Sequence, residues 1–285
     1  MKKAMIIAVF AALSAAHASA YFDGGASVVT GPDGYRGTKL NLVLGSGNLA
    51  LEPSVASYSS DALDKTFRTY ALRGALETDK CTFGAEAGST PRTAGYSNKF
   101  FGADATISLT PGSGGKSRLA GPGSRNAVRG GEGVTRIDVG AGLKYTAHEQ
   151  TASGAGTETG QTAASVFAGA KILMANLSAA YTNYSYGKQD ATPLLENVTG
   201  HNFALAGVFP KSSVNVRLDL PGYPMVTPFV AYTGAKYKSG VDDSSAYLFG
   251  AYIDLSMVSA NVSYQIFDSG SVKDSYLSVG AGIKF

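Results

Sequence analysis

The last stretch of the chain, from Ser275 on, alternates without a break. Leu277, Val279, Ala281, Ile283 and Phe285 fall on one side, and Tyr276, Ser278, Gly280, Gly282 and Lys284 on the other. A period of two means a β-strand with one apolar and one polar face. The pattern recurs. Val258, Ala260, Val262, Tyr264 and Ile266 alternate with Ser259, Asn261, Ser263 and Gln265. Ile137, Val139, Ala141, Leu143 and Tyr145 alternate with Arg136, Asp138, Gly140, Gly142 and Lys144. Tyr247, Phe249, Ala251, Ile253 and Leu255 face away from Gly250, Tyr252 and Asp254. A chain written this way is all-β. Beyond its first residues it has no apolar run near the roughly 18–20 residues that a spanning helix needs. Its single Cys excludes an internal disulfide framework, and its Tyr and Phe are too many for a disordered chain. With 24 Lys+Arg against 21 Asp+Glu there is no basic surplus to hold nucleic acid.

Two architectures accept such strands. A soluble sandwich turns the apolar faces inward, whereas a membrane barrel turns them to lipid around a polar lumen. Three features favour the barrel. The apolar faces mix large residues with Ala, which suits lipid better than a core that must be filled. The strands run about 9–11 residues, enough to cross a bilayer at a tilt. Tyr181, Tyr184, Tyr186, Tyr232 and Tyr237 gather near strand ends, as an interfacial girdle does. The start of the chain fits export: a charged Met1-Lys2-Lys3, an apolar Ala4–Ala16, and an Ala18-Ser19-Ala20 cleavage site. Residues 1–20 are therefore expected to be a cleaved secretory signal and 21–285 the barrel domain. Lys2 and Lys3 leave with the signal, which all but cancels the +3 of the whole chain. Tyr21, not Cys, follows the cut, so no lipid anchor is expected. The sequons at Asn176, Asn183, Asn197 and Asn261 read as plain composition.

An export signal, alternating strands and a terminal strand closing on Phe285 together resemble the Gram-negative outer-membrane β-barrel proteins, at the level of the class. The resemblance implies a bacterial outer-membrane location, contact with membrane lipid and lipopolysaccharide, and Phe285 as the signal read by the barrel-insertion machinery.

A closed antiparallel up-and-down transmembrane β-barrel needs an even strand count if both chain ends lie on one side. Strands are expected near 21–29, 36–44, 49–58, 66–77, 81–89, 100–109, 134–147, 162–173, 176–186, 202–209, 227–238, 246–255, 258–267 and 275–285, about fourteen, with twelve or sixteen left open. Tight turns are expected at Gly45–Asn48, Thr78–Lys80, Met174–Asn176 and Ser256–Met257. Longer connections are expected at 31–35, 59–64, 91–98, 148–161, 187–200, 238–245 and 268–274. Two segments fit badly. Pro111–Gly133 is long for the side where turns should be short, and Val214–Leu220 reads as a strand that breaks the parity. Ile137–Tyr145 and Phe229–Tyr237 share Gly, Lys and Tyr at matching positions, either a four-strand repeat or the common look of barrel hairpins.

The chemistry-bearing residues are few. His17 leaves with the signal, and His148 and His201 are expected at loop mouths, without a neighbouring pattern of nucleophile and acid. Asp242-Asp243 reads either as an acid pair for a hydrolase or Ca²⁺, or as a solvated loop tip. Residues 112–117 imitate a phosphate-binding loop, but Thr110 stands where that pattern needs Gly. Cys81 reads as a small wall residue. No metal, cofactor or enzymatic activity is expected. Function instead falls to charges that alternation turns inward, since one on the lipid face costs about 2–4 kcal/mol at the midplane. The expected pore-lining set is Arg73, Glu86, Asp104, Arg136, Asp138, Lys144, Lys171, Lys236, Asp254 and Lys284, with Asp23 and Lys39 beside them. Basic groups on the later strands suggest a mild anion preference. Arg118, Arg125 and Arg129 form a candidate constriction, if 111–133 folds into the lumen and is not a surface loop. The reading that follows is a passive pore for ions or small polar solutes. A non-conducting barrel with a filled lumen, braced by opposed charges and serving structure or surface interaction, is the alternative; a barrel hydrolase is the third.

Overall fold

The computed structural model describes residues 20–63, 65–78, 80–110, 135–152, 155–195, 208–221, 223–238 and 240–284. They form fourteen strands in one closed antiparallel barrel, each strand bonded to its neighbours in sequence and β1 to β14. The first half holds β1 (Ala20–Thr30), β2 (Arg36–Ser46), β3 (Leu49–Ser59), β4 (Phe67–Glu77), β5 (Cys81–Thr93), β6 (Tyr96–Ser108) and β7 (Thr135–Ala152). The second holds β8 (Ala155–Ile172), β9 (Ala175–Tyr186), β10 (Pro210–Asp219), β11 (Val226–Tyr237), β12 (Ser244–Leu255), β13 (Val258–Asp268) and β14 (Lys273–Lys284). The seam is ordinary antiparallel pairing, with Gly25 opposite Gly282 and Val28 opposite Val279. The rim where β1 begins and β14 ends is called lower here, and the opposite rim upper.

The outer wall follows from alternation. Leu143, Val166, Val230, Phe249, Val262, Val279 and Leu40 all stand exposed on it. Apolar side chains on the outside and polar ones within is the membrane barrel's arrangement and the reverse of a sandwich. At about 3.3 Å per residue and a tilt near 40°, an eleven-residue strand climbs about 28 Å, which matches the hydrocarbon layer. Near the upper rim aromatic residues form two concentric sets. Tyr70, Phe101, Tyr145, Tyr181, Tyr232, Tyr247 and Tyr264 face lipid. Tyr184 and Tyr237, also expected in the girdle, turn inward and are buried, as does Tyr276.

Three of the lower-rim turns are two residues long. Gly47-Asn48 joins β2 to β3, Leu173-Met174 joins β8 to β9, and Ser256-Met257 joins β12 to β13. Gly47, Leu173 and Ser256 take positive φ (58°, 53° and 60°), the hand that matches the strand twist.

Three expectations need correcting. The tenth strand is β10 at Pro210–Asp219, so the Val214–Leu220 pattern belongs to a barrel strand and not to a segment outside the barrel. Residues 202–207 lie outside the described residues, and Val208 and Phe209 precede the strand. The strands of the closed ring number fourteen, which is even. The loops expected at 91–98 and 148–161 are mostly strand: β5 and β6 run on to an Ala94-Gly95 turn, and β7 and β8 reach 18 residues each. Polar sequence reads as loop only inside the membrane; above it a strand needs no apolar face.

Candidate functional site

The lumen is built from the other half of each alternation. At mid-height one row of directly paired residues runs around the wall from Glu52 on β3 to Arg73 on β4, Glu86 on β5, Gly102 on β6 and Lys144 on β7. Charge alternates along it, so each group is stabilised by its neighbour. Arg73 also forks onto Asp104 through two hydrogen bonds of 2.7 and 2.9 Å. The fork passes over Gly84, where a Cβ would collide with the Arg73 guanidinium, so that glycine makes the pair possible. Lys144 Nζ lies 3.4 Å from Glu86 Oε1, across Gly102, and 4.1 Å from the centre of the Phe100 ring.

Two further pairs sit near the lower rim, each within one strand, because residues two apart share a face. Arg136 donates to Asp138 at 2.9 Å on β7, and Arg217 to Asp219 at 2.6 Å on β10. Arg217 also lies 4.1 Å over the Phe229 ring and donates to the Tyr252 hydroxyl at 3.1 Å. The sequence reading named Arg136 and Asp138 but missed Arg217 and Asp219; the signal was there as the second Arg-x-Asp in a period-two run. Phe100, Phe167 and Phe229 each lie over the glycine directly opposite on a neighbouring strand, Gly88, Gly140 and Gly250. The rings thus lie along the wall and cover bare backbone.

Of the other residues expected inward, Asp23, Lys39, Lys171 and Asp254 lie on inward-facing register positions. Lys284 stands opposite Asp23 in the backbone register of the seam. Lys236 corrects the expectation. Thr233, Ala235 and Tyr237 face inward, so Lys236 lies with Tyr232 on the outer face, exposed near the upper rim where its ammonium reaches water. The basic half-wall loses that member, and its Arg136 and Lys144 each stand beside a carboxylate. Arg118, Arg125, Arg129, His201 and Phe285 lie outside the described residues.

Toward the upper rim the inward side chains are tightly packed. His148, expected in a loop, is buried on β7. Asn98 donates to the Tyr96 hydroxyl at 3.1 Å, and that hydroxyl lies 2.8 Å from His148 Nδ1. On the other side His148 Nε2 meets Gln161 Oε1 at 3.0 Å, and Gln161 donates to Tyr186, which donates to the Pro210 carbonyl. The bonds run in one direction only if His148 carries its proton on Nε2. Above this chain the β9–β10 connection leans onto the tall β7–β8 hairpin: Ala191 N donates to Thr159 Oγ1 at 2.9 Å, and both Ala191 and Pro193 are buried. Cys81 pairs with Ile107 on the outer wall.

No protein-family model and no curated protein matches the sequence. Solved structures do. CdiB from Acinetobacter baumannii superposes with a TM-score of 0.53 at 10% identity, over 94% of this chain and 60% of that one. The present chain therefore spans less than two thirds of CdiB. A structure described as the CymD monoaromatic hydrocarbon channel gives a TM-score of 0.51 at 12% identity, over 96% of this chain and 90% of that one. Identities this low speak for the fold alone. The chain is a β-barrel of the bacterial outer-membrane type, and its apolar outer wall belongs in that membrane.

Proposed function

We propose that this barrel is a passive pore for ions and small polar solutes, exported by its first twenty residues and open between the aqueous phases on either side of the outer membrane. The observation that carries the reading is the water-accessible Lys144–Glu86 pair inside the ring, with side chains 40% and 29% exposed. Geometry supports it. Fourteen strands about 4.8 Å apart and tilted near 40° make a ring about 28 Å across at the backbone, wider than two facing layers of side chains fill.

The filled-barrel alternative drew its support from opposed charges. Each inward pair among the described residues joins one strand to itself or strands two apart, so the pairs line the wall without crossing the lumen. The hydrolase reading is disfavoured by His148, whose ring nitrogens face a tyrosine and a glutamine. The expected anion preference is also dropped from the proposal: with a carboxylate beside Arg73, Arg136, Lys144 and Arg217, the wall has little net sign.

Single-channel recording of the refolded full chain in a planar bilayer tests the proposal. The expected result is stable conductance steps with a reversal potential near zero in a KCl gradient. Silence from protein whose gel mobility shifts on boiling would overturn it.

A further inference from the structure

We infer that the Glu86–Lys144 pair is a subsite for small zwitterions, α-amino acids being the simplest, on the path through the lumen. The inference rests on the pore reading above. Of four inward ion pairs among the described residues, three are less open: Arg136 and Asp138 are 2% and 0% exposed, Arg73 and Asp104 16% and 5%, and Arg217 and Asp219 7% and 14%. Glu86 and Lys144 alone among those pairs offer both signs of charge to water, 3.4 Å apart and at mid-height.

A lone anion drawn to Lys144 is repelled by Glu86, and a lone cation meets the reverse. A zwitterion laid head-to-tail against the pair satisfies both at once, its carboxylate on Lys144 Nζ and its ammonium on Glu86 Oε1. The surroundings suit such a guest. Gly102 lies between the two side chains, and the Phe100 ring beneath Lys144 gives an apolar floor. Half-way round the ring from β6, β13 presents Asn261, Ser263 and Gln265, which are neutral and do not compete for either charge. On β14 beside it, Gly280 and Gly282 add no side chain to that wall.

An exposed ion pair is weak, and a guest that matches it gains a preference of about two- to fivefold over a neutral solute of its size. Swelling of proteoliposomes carrying the full chain, with L-glutamine compared against xylitol, reads this directly. The wild-type barrel is expected to admit L-glutamine faster by that factor. Glu86→Gln and Lys144→Gln are each expected to bring the L-glutamine to xylitol ratio to one. The exchanged pair, Glu86→Lys with Lys144→Glu, is expected to restore it. Should one single variant not fold, as judged by boiling-dependent gel mobility, the other carries the comparison. Swelling with neither solute would overturn the pore reading and this inference with it. Equal wild-type rates, or a preference that survives neutralisation, would overturn the subsite and leave the pore standing.

Discussion

Arg73 and Asp104 show how much a single side chain decides here. They meet by a two-pronged bond in a half-dry wall, so deleting Arg73 leaves Asp104 charged and buried without its ion-pair partner. Arg73→Ala is expected to cost about 3–5 kcal/mol, and the double change Arg73→Met with Asp104→Leu much less; urea unfolding of the folded protein in detergent measures both. On the outer face Leu143→Arg, at mid-wall, is expected to cost about 2–4 kcal/mol in a bilayer folding titration, whereas Lys236→Leu, at the upper rim, is expected to change little. The inward charges at Arg73, Glu86, Asp104 and Lys144 were legible from alternation, because a mid-membrane charge has only one affordable side. Lys236 was misread for the complementary reason: near the rim that penalty fades, and both faces of Phe229–Tyr237 carry aromatic and small residues, so the pattern alone does not choose between them.

At the scale of the strand, β10 is the instructive case. Its alternation was visible at Val214–Leu220, yet counting it beside a strand at 202–209 broke the parity. Val214 opposite Tyr181 and Asn215 opposite Ala180 put Val214 and Val216 on lipid and Asn215 in the lumen. In a Cys81→Ser background, Asn215→Cys is expected to react with a membrane-impermeant thiol reagent and Val216→Cys to resist it; a placement one residue out of register would reverse the two. The β7–β8 hairpin was misread as loop from His148 to Gln161 because the segment is polar and glycine-bearing. Its upper part stands above the lipid, where pairing and hydroxyl bonds such as Ala191 to Thr159 hold it, and burial against a bilayer does not.

For the molecule as a whole, closure is the event that matters. β14 bonds β13 on one edge and β1 on the other, so removing 273–285 leaves two open edges in lipid, where an unpaired backbone group has no water to turn to. That deletion is expected to abolish the boiling-dependent mobility shift altogether. Alternation, strand length and an even count were enough to foretell a membrane barrel of about fourteen strands, with twelve and sixteen left open, because period two and a fixed bilayer thickness are local constraints that each strand obeys separately. What lay beyond them belongs to the ring. Which charges meet depends on register across three strands, as with Arg73 reaching Asp104 over Gly84, and register is set by pairing that no single segment carries. The burial of His148, the inward turn of Tyr184 and Tyr237, and the openness of Lys144 beside Glu86 were likewise decided only when fourteen strands closed and gave each side chain a definite opposite wall.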